Sequence, residues 1–343
     1  MIAMRVVLAT SPPMMFRALT ALLLIVLLPG GCAMPRPPHL ETAGAPPDTS
    51  GYFTMTDGTK LPYRAWMPAA TPRAVVLALH GMNDSRDAWE YPAPDFAKAG
   101  IAVFSPDQRG FGTTPDRGLW AGGREMADDA RQMAGLLRAR YPHTRLILMG
   151  ESMGAAVLMV LAAEPNPPPA DGYVLIAPAV WGRAEMNFFL RAGLWLLSNT
   201  FPAMTVTGGG GIVHVRASDN YEAIRRLSDD PLTIHDTRWD TIRGLVNLMD
   251  SALAAAPHFH GQALFLYGGH DELIPQKATA ATWRALPPGE REAYYPAGYH
   301  LLMRDHERIT PIEDTIAWIL RPEDPLPSGA DRAAAAWLAE QPN

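Results

Sequence analysis

At 343 residues the chain exceeds one minimal domain and suits a large single domain with an insertion, or two domains. Its residues are 48% hydrophobic and 19% charged, a globular composition that excludes a fibrous or largely disordered chain. The formal net charge of −6, with mixed signs and no basic stripe, argues against a nucleic-acid partner. A single cysteine, Cys32, excludes an intramolecular disulfide.

The most apolar stretch covers residues 18–28, with Arg5 and Arg17 upstream and no acid before it. That is the layout of an export signal, too short to span a bilayer comfortably. It runs into Leu28-Pro29-Gly30-Gly31-Cys32-Ala33, which resembles the lipobox of bacterial lipoproteins. The resemblance implies that 1–32 is an export signal and that Cys32 is lipidated. Such a chain would be exported and lipid-anchored to a membrane surface of a bacterial cell envelope; the alternative is a soluble periplasmic or secreted protein. Residues 33–50 are rich in Pro and Ala, with few large apolar groups, and read as a flexible tether.

Order is expected to begin near Gly51. Tyr52-Phe53-Thr54-Met55, Asp57-Gly58-Thr59 and Leu61-Pro62-Tyr63-Arg64-Ala65-Trp66 form a hairpin pattern. Ala74-Val75-Val76-Leu77-Ala78-Leu79 is a strand buried on both faces and ends in His80-Gly81-Met82-Asn83. A helix is predicted over 86–99, closed by Gly100. Ile101-Ala102-Val103-Phe104 is a second buried strand, and an amphipathic helix follows over 123–140. Residues 145–150 form a strand, 153–163 a helix, and Tyr173-Val174-Leu175-Ile176 another strand. This alternation predicts a parallel sheet covered on both faces. It stops at 182–260, which reads as an inserted helical cap. The sheet then resumes with Ala263-Leu264-Phe265-Leu266-Tyr267-Gly268 and a last strand over 291–295. A closing helix runs to about 320, and 322–343 reads as a peripheral tail with a short Ala-rich helix. The core is thus expected in 51–181 and 261–321.

Chemistry points to Gly150-Glu151-Ser152-Met153-Gly154, set between a strand and a helix. Such a turn pushes the serine hydroxyl out of the sheet, with glycines where strand and helix nearly touch. A lone serine is a poor nucleophile and needs a base, an acid and an oxyanion hole. In open parallel sheets these belong in the loops after the strands. Asp271 follows one such strand and His300 another, so Ser152, Asp271 and His300 form a candidate triad. Glu272 is the rival acid and His270 the rival base. The backbone N–H groups of Met82 and Met153 are the candidate oxyanion donors. Phe188, Phe189, Leu194 and Trp195 are candidates to line an acyl tunnel, or else to pack the cap onto the sheet. His258 and His260 lack a third ligand nearby, so no metal and no cofactor is expected.

Together, His80-Gly81, Asp107-Gln108-Arg109-Gly110-Phe111-Gly112, the sharp turn or elbow Gly150-Glu151-Ser152-Met153-Gly154, Gly269-His270-Asp271 and Tyr295-Pro296 with His300 resemble the α/β-hydrolase superfamily. Within it the chain is most similar to the monoacylglycerol lipase and lysophospholipase-like branch. The resemblance implies an α/β fold with a mostly parallel sheet, helices on both faces and a helical cap. It implies cleavage of carboxylic esters, monoacylglycerol- or lysophospholipid-like, through an acyl-enzyme. The partner is a small-molecule lipid or ester, and no obligate protein partner is evident. Alternatives on the same triad are an arylesterase, thioesterase, acyltransferase or aminopeptidase-like hydrolase. From another class comes a non-catalytic lipid-binding envelope protein.

Overall fold

The computed structural model describes residues 39–42, 49–207 and 215–342. The expected export signal and Cys32 lie outside the described residues. In chain order the elements are β1 (His39–Thr42), β2 (Ser50–Thr54), β3 (Lys60–Trp66), β4 (Ala74–Leu79), α1 (Ala93–Lys98), β5 (Ile101–Pro106), α2 (Gly123–Arg140) and β6 (Arg145–Glu151). Then come α3 (Met153–Ala162), β7 (Gly172–Ile176), α4 (Phe188–Thr200), β8 (Thr205–Thr207), α5 (Tyr221–Asp229), β9 (Asp236–Arg238) and α6 (Trp239–Ala255). The chain closes with β10 (Ala263–Gly268), α7 (Gln276–Ala285), β11 (Arg291–Tyr295), α8 (Ile309–Leu320) and α9 (Ala330–Glu340).

Among the described residues, nine strands form one sheet in the order β1-β2-β3-β5-β4-β6-β7-β10-β11. The first three run antiparallel, and β5 through β11 pair in parallel. Strand side chains alternate between faces, so a continuous apolar run feeds two cores. On β4, Val75, Leu77 and Leu79 pack under α2, α3 and α6. Its Ala74, Val76 and Ala78 pack on the other face with α1 and α8. This is the layered α/β-hydrolase architecture. Its chain path moves from β4 outward to β5 and returns past β4 to β6. That reversal leaves the carboxyl ends of β4 and β6 side by side at a switch point, where a crevice opens.

Four expectations need correction. The helix predicted over 86–99 is broken into a 3₁₀ turn at Arg86–Trp89 and the short α1, because Pro92 and Pro94 cannot continue a helix from the preceding turn. Four residues of the expected tether form β1, paired with β2; they lie in a stretch free of Pro, and the edge of β2 offers backbone partners. The expected peripheral tail instead covers the sheet edge at β11. Trp337 of α9 stacks on Tyr294 at 4.9 Å and 15° and meets Trp283 at 5.1 Å, while Ala330 reaches the core of the opposite face. An edge strand so covered is shielded from pairing with another chain. Lastly, α6 lies inside the expected 182–260 insertion, yet its Leu248, Met249 and Ala252 are buried in the same core as α3. The described parts of the insertion outside this layer are 182–207 and 215–238. They contain α4, capped by Asn187, α5, capped by Asn220, and the β8–β9 ribbon.

Candidate active site

Ser152 sits between β6 and α3 at φ 53°, ψ −111°. A non-glycine residue there is strained by roughly 1–3 kcal/mol and persists only where its surroundings over-determine it. They do. Ser152 N–H donates to the Ile176 carbonyl at 2.9 Å, and the Ser152 carbonyl accepts from Ala156 and Ala179 N–H, each at 3.0 Å. The flanking glycines are required by space. A Cβ on Gly150 would lie 2.5 Å from the Gly154 carbonyl carbon, and one on Gly154 would lie 2.5 Å from the Leu79 carbonyl oxygen. Strand, helix and the end of β4 meet at backbone distance.

Asp271 and His300 arrive on the loops after β10 and β11. The two loops are tied together, with Gly269 N–H donating to Tyr295 O and His270 N–H to Gly298 O, both at 2.8 Å. Asp271 Oδ1 accepts from the N–H groups of Leu273 (2.8 Å) and Ile274 (2.9 Å). That leaves Oδ2 to accept from His300 Nδ1–H at 2.8 Å. Both side chains are buried. With Nδ1 protonated in this arrangement, Nε2 is the nitrogen free to take a proton. Burial pulls the His300 pKa down, but the charge and hydrogen bond of Asp271 outweigh it, helped by Glu151 and Asp305. The net result is a pKa above the usual histidine value.

The rivals go elsewhere. Glu272 is exposed and accepts from Arg216 N–H at 2.7 Å. His270 is exposed against the Tyr299 ring. His80 is fully buried, with Nδ1 donating to Gly81 O at 2.7 Å and Nε2 accepting from Gln108 N–H at 3.0 Å. Burial holds its pKa below the usual value, so it is a neutral strut for the β4 loop. Asp107, likewise buried, accepts from Arg86 and Thr113 N–H at 2.7 and 2.8 Å. It shapes the turn that ends at Gly112.

Ser152, His300, Glu151 and the β4 loop from Gly81 to Asp84 line one cavity of about 200 Å³. Its other walls are Ala217, Leu227, Thr233, Leu273 and Leu301. A Cβ on Gly81 would stand 3.5 Å from the Ser152 Cβ, so this loop lies directly against the serine. Met82 lines the cavity. Met153 is the first residue of α3, where a helix has no intrahelical partner for its N–H.

Phe188, Phe189, Leu194 and Trp195 do not line this cavity. Phe188, Phe189 and Trp195 are exposed, Phe189 by 82% and Trp195 by 67%, and Leu194 is half-buried. The expected tunnel wall is an outward apolar face of α4. The cavity instead takes its insertion contacts from Ala217, Leu227 and Thr233.

Sequence reasoning missed a buried cluster of titratable residues, of which Asp84 and Glu151 line the cavity and Arg304 pairs with them. Arg304 is hydrogen-bonded to the Asp84 carboxylate, and its guanidinium lies 3.9 Å from Glu151 Oε2. Burial drives the Glu151 pKa up to about 7, against the lowering pull of Arg304 and His300. The available signal was a charge close to an apolar run: Asp84 in the loop that follows β4, Arg304 after Leu301-Leu302-Met303.

A family model described as "Serine aminopeptidase, S33" matches residues 70–307. The chain is 25% identical over 271 residues to the monoacylglycerol lipase of Mycolicibacterium smegmatis, covering 78% of this chain and 95% of that one. It is 25% identical over 263 residues to the monoglyceride lipase of Rattus norvegicus, covering 76% and 86% respectively. The crystal structure of Paleococcus ferrophilus monoacylglycerol lipase superposes with a TM-score of 0.63 at 20% identity, over 76% of this chain and 98% of that one. On its matched span, its sheet order and its elbow, this chain belongs to the Hydrolase_4 family of α/β-hydrolases and is related to monoglyceride lipases.

Proposed function

We propose that the chain is a serine hydrolase of carboxylic esters with one long acyl chain, monoacylglycerol- or lysophospholipid-like. The observation that carries this reading is the strained Ser152 sharing a cavity with a His300 whose Nδ1 is held by Asp271. Ser152 Oγ attacks the ester carbonyl as His300 Nε2 takes its proton. Asp271 keeps the tautomer and supports the imidazolium. The N–H groups of Met82 and Met153 receive the oxyanion, each worth on the order of 3 kcal/mol in the transition state. The alcohol leaves with the proton from His300. A water, deprotonated by the same nitrogen, then releases the fatty acid and restores Ser152.

The apolar face of α4 supports a lipid substrate. Phe188, Phe189, Leu190, Trp195 and Leu196 are exposed together on one short helix, with Phe201 and Met204 just beyond it. Exposed patches of large apolar groups mark binding surfaces, and a substrate that partitions into membranes is met at a lipid surface. The expected export signal and lipidation at Cys32 fit the same reading, in which the enzyme is held at a membrane.

Two measurements test this reading. In a series of p-nitrophenyl esters and monoacylglycerols of graded length, kcat/KM rises from short chains to chains of about ten carbons or more, since each buried CH₂ contributes about 0.8 kcal/mol. A steep preference for the shortest acyl groups contradicts the lipid reading. In a bacterial host, labelled palmitate is incorporated into the wild-type protein and not into Cys32→Ser; no incorporation into wild type contradicts the anchor.

A further inference from the structure

The cavity is assembled from loops that are far apart in sequence, and something must keep them in register. The β4 loop carries Met82, the elbow carries Ser152, and the loop after β11 carries His300. One side chain touches all three. Arg304, four residues beyond His300, hydrogen-bonds Asp84 across 220 residues of sequence and reaches Glu151 at 3.9 Å. The three side chains are only 5%, 7% and 3% exposed for Arg304, Asp84 and Glu151. The main chain of the same loop is fastened to the insertion. Asn220 Nδ2 donates to the Arg304 carbonyl at 2.9 Å, Leu301 N–H to Ala217 O at 2.8 Å, and the Ser218 hydroxyl to Asp305 at 2.6 Å.

Burying three charges is costly, and well-packed apolar side chains of the same volume often serve stability as well or better. Stability alone is therefore a weak reason for this cluster. A guanidinium, however, can hydrogen-bond one carboxylate while its fixed charge attracts a second; here Arg304 Nη2 bonds Asp84 and stands 3.9 Å from Glu151, an ion pair without a hydrogen bond. Those carboxylates sit two residues after Met82 and one residue before the serine.

We propose that Arg304 is a positioning residue: through Asp84 and Glu151 it holds the β4 loop and the elbow against the loop of His300, fixing the oxyanion donor, nucleophile and base relative to one another. The inference rests on the hydrolase reading above. It assigns Glu151 a second effect. Glu151 and His300 line the same cavity, so whatever negative charge Glu151 carries favours the imidazolium, after the larger pull of Asp271, while burial first and then Arg304 govern how much of that charge is present.

The test uses the full chain and counts active sites with a fluorophosphonate, so that misfolded protein is not scored as slow enzyme. Removing Arg304 alone would strand the buried Asp84 carboxylate that it hydrogen-bonds, so the informative variant is the double change Asp84→Asn with Arg304→Met. Per titrated site, kcat falls about 100-fold, the scale of a misplacement of about 1 Å, with KM within a factor of three. A titratable double variant with kcat within threefold of wild type overturns the proposal. Glu151→Gln supplies the second readout. The acid limb of its kcat/KM profile moves to lower pH, because one negative neighbour of His300 is gone; an unmoved limb overturns the role given to Glu151. Wild-type protein that the probe does not label defeats the hydrolase reading itself, which separates that failure from failure of the positioning role.

Discussion

Ser152→Ala lowers ester turnover by about 10⁵–10⁶-fold, with the protein still folded and its melting temperature close to that of wild type. The size follows from losing the group that forms the acyl-enzyme; what remains is the background from oxyanion donors and binding. The fold is expected to hold for a local reason. Alanine is no worse than serine at φ 53°, since the strain there comes from any Cβ. The backbone bonds that hold the residue, from Ser152 N–H to Ile176 and from Ala156 and Ala179 N–H to Ser152, do not involve the hydroxyl. Turnover that survives within tenfold would remove Ser152 from the chemistry.

Asp271→Asn is expected to lower kcat by about 10⁴-fold while leaving the loop in place. The N–H groups of Leu273 and Ile274 both point at Oδ1, so an asparagine carbonyl takes that position. Its NH₂ then faces His300 Nδ1. A donor there makes Nδ1 an acceptor and moves the ring proton to Nε2, the nitrogen that must take the proton from Ser152. The pH profile carries an independent sign. A general base works in its neutral form, so activity is lost as pH falls through the His300 pKa. Burial lowers that pKa, and Asp271 is the largest of the influences that raise it above the usual value. Without the carboxylate's charge, the acid limb of the residual activity moves to lower pH. A variant with unchanged kcat and an unmoved limb would show that Asp271 does not support His300.

The sheet was legible because its signal is local. Val75, Leu77 and Leu79 alternate with Ala74, Val76 and Ala78 across two cores, and a continuous apolar run is what that burial demands. The site was legible in part for a related reason. Strand ends in a parallel sheet share one edge, so Ser152, Asp271 and His300 could be placed there from the order of the strands. What failed to read was any question of direction or long-range pairing. The apolar residues of α4 say that one face avoids water; they do not say whether protein or lipid covers it, and Phe189 turns outward. The Ala-rich segment near the C-terminus looked peripheral because alanine covers little surface, yet Trp337 stacks on Tyr294 at the sheet edge. Arg304 and Asp84 are 220 residues apart, and no spacing rule brings them together. Pro92 and Pro94 were visible, and the break they impose between the 3₁₀ turn and α1 was readable from proline chemistry alone.

The central claim is that Ser152 is an activated nucleophile, and covalent labelling tests it most directly. A fluorophosphonate incubated with the full chain at neutral pH, followed by proteolysis and mass spectrometry, is expected to give one adduct, on Ser152, with about one label per chain. Ser152→Ala is expected to abolish the adduct. His300→Ala, which removes the base, is expected to slow labelling by about 10³-fold or more. An adduct on another residue, or labelling that persists in Ser152→Ala, would contradict the account.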